Sequence, residues 1–441
     1  MELIHSFRLM LNCIIRYLYG DNMDKTSSKA ISRSNRVICV PFLPEVYNKV
    51  IEKPVEFRAH IDEQIELFPE LFPLEITQQY RMKDFRYSKK LSIYIRRIEI
   101  CDVNYTIRPS YVMPFMTGMV KDIEKALFFR KFNVPFWALS YAFGKDPMYW
   151  YRIETSLGRY SIVGTTIKHA EDLPEHVSAD EKHTKLLGEK AYIATTVSNE
   201  CILGASVSKS AGEEGLKEAY NSFKKESQDL NPNYAPNTVN TDGWPATQNV
   251  WKFLFPSIYI IRCFLHIYIS IRDRTKNKFK GTFNKVAPKL WECYHADNKA
   301  SFSQRVRRLH EWVKKADSIP SIILDKISKL RENLSSFTVA YDFPKAHRTS
   351  NMIDRLMQRM DKHLFNTQYF HGDKSSAELN IRGWVLILNF APLNPFTVKK
   401  HGGLQSPAER FNKFRYHDNW LQNLLISASL GGYRIPPPNP L

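Results

Sequence analysis

One stretch, residues 177–262, switches repeatedly between two apolar periods and limits the folds open to this chain more than any other feature. Residues 177–180 (VSAD) read as a first strand. Residues 189–198 (EKAYIATTVS) and 200–208 (ECILGASVS) are β-rich runs joined around Asn199, which predicts an antiparallel hairpin. In residues 212–227, Leu216, Tyr220 and Phe223 fall at i, i+4 and i+7, with acids at the start and lysines towards the end. That pattern predicts an amphipathic helix whose charges match its dipole. An Asn/Pro loop at 231–237 precedes a strand at 238–242, ended by Gly243, then a helix at 248–255 and a buried strand at 257–262. The order predicts an α/β fold, a mixed sheet flanked by helices.

Upstream, residues 118–159 read as three short helices separated by turns. Val120, Ile123 and Leu127 recur at helical spacing until Asn133-Val134-Pro135 stops the first. The second covers 136–143. Gly144-Lys145-Asp146 then supplies a turn, with Asp146 placed to cap the third and Pro147 at its first position. Tyr149, Trp150, Tyr151, Arg152 and later Arg159 mix aromatic and basic groups, as a helix in a DNA major groove does. The same outline fits a DNA-reading helix-turn-helix or an ordinary packed helical hairpin. After His266 the chain turns helical for about eighty residues, and a last clear helix follows Ser350, with Ile353, Leu356, Met357 and Met360 on its apolar side.

Charge narrows the partners. The 441 residues hold 63 Lys and Arg against 45 Asp and Glu, a net charge of +18, so a polyanion is the expected partner. Such a length predicts two or more domains. Six scattered cysteines without a CxxC pair argue against a disulfide scaffold or zinc ribbon and for reduced thiols, as in cytoplasm. No membrane span is expected, because Arg262 and His266 interrupt the most apolar run, 257–271. The first residues read as an amphipathic helix, 21–34 as a linker, and the proline-rich end as an extended tail.

Three aspartates occupy positions that a sheet with a packed helix brings together: Asp180 in the first strand, Asp242 at the end of a later strand, and Asp354 in the first turns of the late helix. Three hard oxygen donors around one cavity suit Mg²⁺ or Mn²⁺, and two such ions serve phosphodiester cutting and joining. Each aspartate alone also fits a capping role. Glu181 is expected on the opposite face, and Asp361 competes from one heptad beyond Asp354. There is no GxxxxGK[ST] loop, GxSxG elbow or HExxH helix, which argues against ATPase, serine hydrolase and zinc protease chemistry.

The segments SADEKH (178–183), NTDGW (240–244), CFLH (263–266) and TSNMID (349–354) resemble, in that order, the blocks of prokaryotic insertion-sequence transposases with an acidic-triad, ribonuclease-H-like catalytic domain. In that superfamily, including its Mutator-like group, a Cys/Asp-x-x-His block follows the second acid and an Asn stands three residues before the third; Cys263 with His266 and Asn351 with Asp354 fit both patterns. The resemblance covers about residues 115–430. It implies a ribonuclease-H-like core at 170–266 and 345–430, split by an all-α insertion at 267–344, after a helix-turn-helix at 111–165. Residues 1–110 form a basic region of unknown role, and 431–441 the tail. Asp180, Asp242 and Asp354 would hold two Mg²⁺ (or Mn²⁺), with His266 supporting the site. Lys145, Tyr149, Trp150, Arg152 and Arg159 would contact DNA.

The implied protein is a DNA transposase that binds terminal inverted repeats, then cuts and transfers strands, as a homodimer or higher oligomer on double-stranded DNA in the cytoplasm, associated with the nucleoid. Two rivals are a catalytically inactive, transposase-derived DNA-binding protein or regulator and a structure-selective nuclease. One departure is that most relatives have Glu as third acid; Asp354 is a methylene shorter, so its helix must come closer to the metals. Cys263 and His266 lack a second ligand pair, so a packed cysteine beside a histidine near the scissile phosphate is expected rather than zinc.

Overall fold

The computed structural model describes residues 36–77, 79–275, 279–316 and 319–433; the amino-terminal helix, the linker at 21–34 and the tail after Tyr433 lie outside them. The first sheet comprises β1 (Val37–Val40), β2 (Tyr80–Ser88), β3 (Ile93–Ile100) and β4 (Val103–Pro109), in the order β1-β4-β3-β2. Strand β1 runs parallel to β4, and the other pairs are antiparallel. Cys101 and Asp102, both at positive φ, make the two-residue turn that twisted hairpins favour. Helices α1 (Pro44–Val50) and α2 (Pro54–Leu67) cover this sheet, with Tyr47, Phe57 and Ile61 in its core.

Sequence periodicity did not disclose these strands, because the basic residues that mask them take cross-strand partners. Lys83 pairs with Glu99 and Arg97 with Asp84 across β2 and β3. Arg96 turns inward, its Nε donating to the Ile51 carbonyl at the end of α1.

The three helices expected next are α3 (Val120–Arg130), α4 (Phe136–Phe143) and α5 (Pro147–Leu157), followed by α6 (Ile162–Thr166). Asp146 caps α5, accepting from the Met148 N–H at 2.7 Å. The inner face of α5 packs against a late helix so closely that no side chain fits between them. A Cβ on Gly158 would meet the Leu379 carbonyl oxygen at 2.0 Å, and one on Gly383 would meet that of Glu154 at 2.1 Å. One continuous core joins Ile38 and Ile107 of the first sheet to Leu127, Ile153, Leu386 and Leu425.

The second sheet holds β5 (His176–Leu186), β6 (Glu189–Ser198), β7 (Cys201–Ser208), β8 (Thr238–Thr241) and β9 (Tyr259–Arg262), in the order β7-β6-β5-β8-β9. Strands β5, β8 and β9 are parallel, and β6 is antiparallel to both its neighbours. The hairpin at Asn199 is as read. A second hairpin at Leu187-Gly188, both at positive φ, carries β5 on past Asp180; Gly188 suits that turn, while Leu187 is an uncommon residue at its first position. Helices α7 (Glu213–Leu230) and α8 (Pro245–Leu254) bury Leu216, Phe223 and Trp251 against one face of the sheet.

An all-helical stretch follows β9: α9 (Phe264–Thr275), α10 (Lys280–Tyr294), α11 (Lys299–Lys315), α12 (Ser321–Glu332) and α13 (Leu334–Thr338), around a core of its own that includes Val286, Phe302, Val306 and Ile327. Helices α14 (Asn351–Asn366) and α15 (Lys374–Phe390) return to the other face of the second sheet, where Ile353, Met360 and Trp384 meet Ile193 and Ile202. Three short helices, α16 (Pro395–Lys400), α17 (Pro407–Asn412) and α18 (Trp420–Ser427), close the chain. Among the described residues no helix is long and apolar enough to cross a membrane.

Candidate active site at the ends of the parallel strands

Strands β5 and β8 set the register of the site. Ser178 lies opposite Asn240, so Asp180 and Asp242 stand two residues further along neighbouring parallel strands. Asp180 is largely enclosed, and its Oδ1 accepts the Glu181 N–H at 2.8 Å. Glu181 points to the opposite face, as strand alternation requires, and accepts from Tyr220 and Thr247 hydroxyls, each at 2.7 Å. Asp242 Oδ1 accepts the Trp244 N–H at 2.8 Å, bending the chain where β8 ends. Gly243, at φ +100°, makes room for a cation: a Cβ there would lie 2.6 Å from the Arg262 guanidinium. Arg262 thus brings positive charge beside Asp242, whose field opposes the depression of its pKa by burial.

The third aspartate arrives differently. Asp354 Oδ2 accepts from Ser350 Oγ at 2.7 Å, while Cys263 Sγ donates to that same Oγ at 3.2 Å and accepts the Ser350 N–H at 3.1 Å. His266 Nδ1 is 3.5 Å from Ser350 Oγ. The Asn240 amide donates to the His347 carbonyl at 3.0 Å, pinning the loop before α14 to β8. Asp361, the competing acid, is paired with Lys182 at 2.5 Å.

Among the described residues no group of three His, Cys, Asp or Glu side chains is arranged to hold a metal ion. Of the three aspartates read from sequence, Asp180 and Asp242 lie side by side, and Asp354 is hydrogen-bonded to Ser350. Ser350 and Arg262 were not singled out as site residues. A serine just before a helix and a lone arginine ending an apolar strand are weak signals of either.

Burial, then the Asp242 and Glu181 carboxylates, push Asp180 up to about 7. His266 is raised to about 9, first by its hydrogen bond with Cys263 and further by Asp242 and Asp180. The folded pKa of Asp180 lies above its unfolded value, so the folded state holds the extra proton between about pH 4 and 7 and stability falls as pH rises through that window. Asp180→Asn in chelator should leave stability near pH 3 unchanged and raise it by about 2 kcal/mol at pH 8, allowing for relaxation of the pair. Urea unfolding at both pH values measures this; an equal effect at each would mean that no buried charge is relieved.

The expected DNA-contacting residues differ in exposure. Lys145, Arg152 and Arg159 are exposed, Arg159 lying 4.8 Å over the Phe115 ring. The Tyr149 hydroxyl donates to the Thr117 carbonyl at 2.7 Å. Trp150 is only 2% exposed, and its indole N–H is bonded to the Gly144 carbonyl. Its assignment as a base-contacting residue is therefore corrected to a core role, since i, i+3 and i+7 positions of α5 face inward. Compared with known proteins, the chain matches no family model and no curated sequence.

Proposed function

We propose that the protein is a DNA transposase, binding terminal inverted repeats and cutting and joining DNA strands in a reaction that depends on a divalent cation. The observation that carries this reading is the in-register pair Asp180 and Asp242 on neighbouring parallel strands, within a sheet of order β7-β6-β5-β8-β9. That order, with β6 alone reversed, supports the ribonuclease-H-like reading, as do a helical insertion after β9 and the return of a third aspartate on α14.

Two adjacent carboxylates, Asp180 raised first by burial and then by Asp242, are hard donors suited to Mg²⁺ or Mn²⁺. Asp180 and Asp242 would hold the ion, and Asp354 would join them on releasing Ser350. A cation so held supplies Lewis-acid polarisation of a phosphate oxygen and an acidified hydroxyl nucleophile. Arg262 adds fixed positive charge beside Asp242, and protonated His266 adds another, both favouring a phosphodiester. Glu181 stays out of the reaction, its carboxylate taken up by Tyr220 and Thr247. The net charge of +18 supplies attraction to duplex DNA, and two copies would pair two ends.

The hydrogen bond that occupies Asp354 favours a second reading, a catalytically inactive DNA-binding protein or regulator derived from such an enzyme. An assay with a duplex carrying the inverted repeats that flank the gene separates the two. The transposase reading expects Mg²⁺- or Mn²⁺-dependent nicking that leaves a 3′ hydroxyl, is abolished by EDTA, and is followed by joining of a pre-cut end to a plasmid. Nicking without joining would make the protein a nuclease. Binding without either step would make it the regulator.

A further inference from the structure

The helical insertion contains a charged groove that the proposed chemistry does not use. Residues 267–344 hold 16 Lys and Arg against 8 Asp and Glu, so under a fifth of the chain carries 8 of its 18 surplus positive charges. Helices α10 and α11 bury Val286, Leu290, Phe302, Val306 and Leu309 together. Beside this apolar seam lies an open groove of about 550 Å³, lined by Lys289, Glu292, Arg305, Arg308 and Trp312.

On α11, Arg305, Arg308 and Trp312 fall at i, i+3 and i+7, one face of the helix. Arg305 Nη1 donates to the Glu292 carbonyl at 2.6 Å, which fixes its guanidinium at the groove wall. Lys289 Nζ lies 4.9 Å from the Trp312 ring centroid, a cation–π contact from α10 to α11. Two other cations of α11 have acidic partners: Lys299 pairs with Asp342, and Arg307 has Glu311 at 4.0 Å. Among the described residues Lys289, Arg305 and Arg308 have none. Like charges gathered on one wall repel each other, and a polyanion removes that cost.

We propose that this groove binds the phosphate backbone of DNA. Guanidinium forks match phosphate oxygens, and a row of cations along an open channel suits a strand with regularly spaced charges better than a single small anion. The inference rests on the reading of DNA as substrate and moves a principal DNA contact from α5, whose inner face is packed, to the insertion.

The test is a salt titration of the full-length protein on a fluorescent duplex, followed by anisotropy. Arg305→Gln with Arg308→Gln should lower the slope of log K against log salt by about 2 and weaken binding roughly 50-fold near ~0.1 M salt. Lys289→Gln with Arg308→Gln, which spares the Arg305 contact to α10, should act similarly. Arg305→Lys with Arg308→Lys should keep the wild-type slope. Lys145→Ala with Arg152→Ala on the α5 side should have the smaller effect. Wild-type affinity and slope in both Gln pairs, with unchanged circular dichroism, would overturn the groove while leaving the DNA reading intact. A wild-type protein without salt-dependent DNA binding would overturn both.

Discussion

Asp242→Asn is expected to reduce cation-dependent strand cleavage on the order of 10³-fold or more while changing DNA affinity less than about twofold. Asp242 is at the turn after β8, its Oδ1 holding the Trp244 N–H and its charge facing Arg262, Asp180 and His266. Asparagine keeps the oxygen that makes the turn, so the chain bends as before. It removes the negative charge, and with it half of the carboxylate pair. The measurement is single-turnover cleavage with Mn²⁺ beside an anisotropy titration of the same DNA. Cleavage at the wild-type rate would take this aspartate out of the chemistry, and joint loss of cleavage and binding would point to a misplaced turn.

Glu154→Gln is expected to cost about 3–5 kcal/mol of stability, because it strands a buried guanidinium. Glu154 and Arg130 are both wholly enclosed; Arg130 Nε donates to Glu154 at 2.5 Å and Nη2 at 3.1 Å, while Nη1 donates to the Val134 carbonyl at 2.5 Å. The network reaches α14: Arg130 Nη2 is 3.5 Å from His363 Nδ1, and His363 Nε2 is 3.3 Å from Asn380 Oδ1. Burial, then Arg130, holds His363 far below the usual imidazole range, so the ring stays neutral, accepting a hydrogen bond from the Arg130 guanidinium at Nδ1 and donating from Nε2 to Asn380. Replacing both partners, Arg130→Met with Glu154→Leu, should cost far less, since no unpaired charge remains. Urea unfolding of the two variants decides it; a loss below about 1 kcal/mol in Glu154→Gln would mean that water reaches the pair.

Elements whose signal is local could be read directly. Asp146 and Pro147 announced α5, Asn199 the hairpin between β6 and β7, and the apolar stripe of Ile353, Leu356, Met357 and Met360 announced α14. Elements without a polar face could not. Helix α15 is buried on nearly every side from Ala377 to Phe390, so it has no amphipathic period to detect. The first sheet was hidden for the opposite reason, because charged side chains on β2 and β3 satisfy one another across the strands.

Residue spacing alone was enough to put Asp180 on a strand, Asp242 at a strand end and Asp354 at a helix start, since a backbone of period 2 or 3.6 fixes where each residue falls on its own element. Which side chains then meet depends on how distant segments pack, and that is a property of three dimensions. Only the tertiary structure paired Asp180 with Asp242, gave Asp354 to Ser350, and turned Trp150 inward against the late helix. Contacts between residues more than a hundred positions apart are selected by shape, burial and hydrogen bonding across the whole core, which no local period encodes.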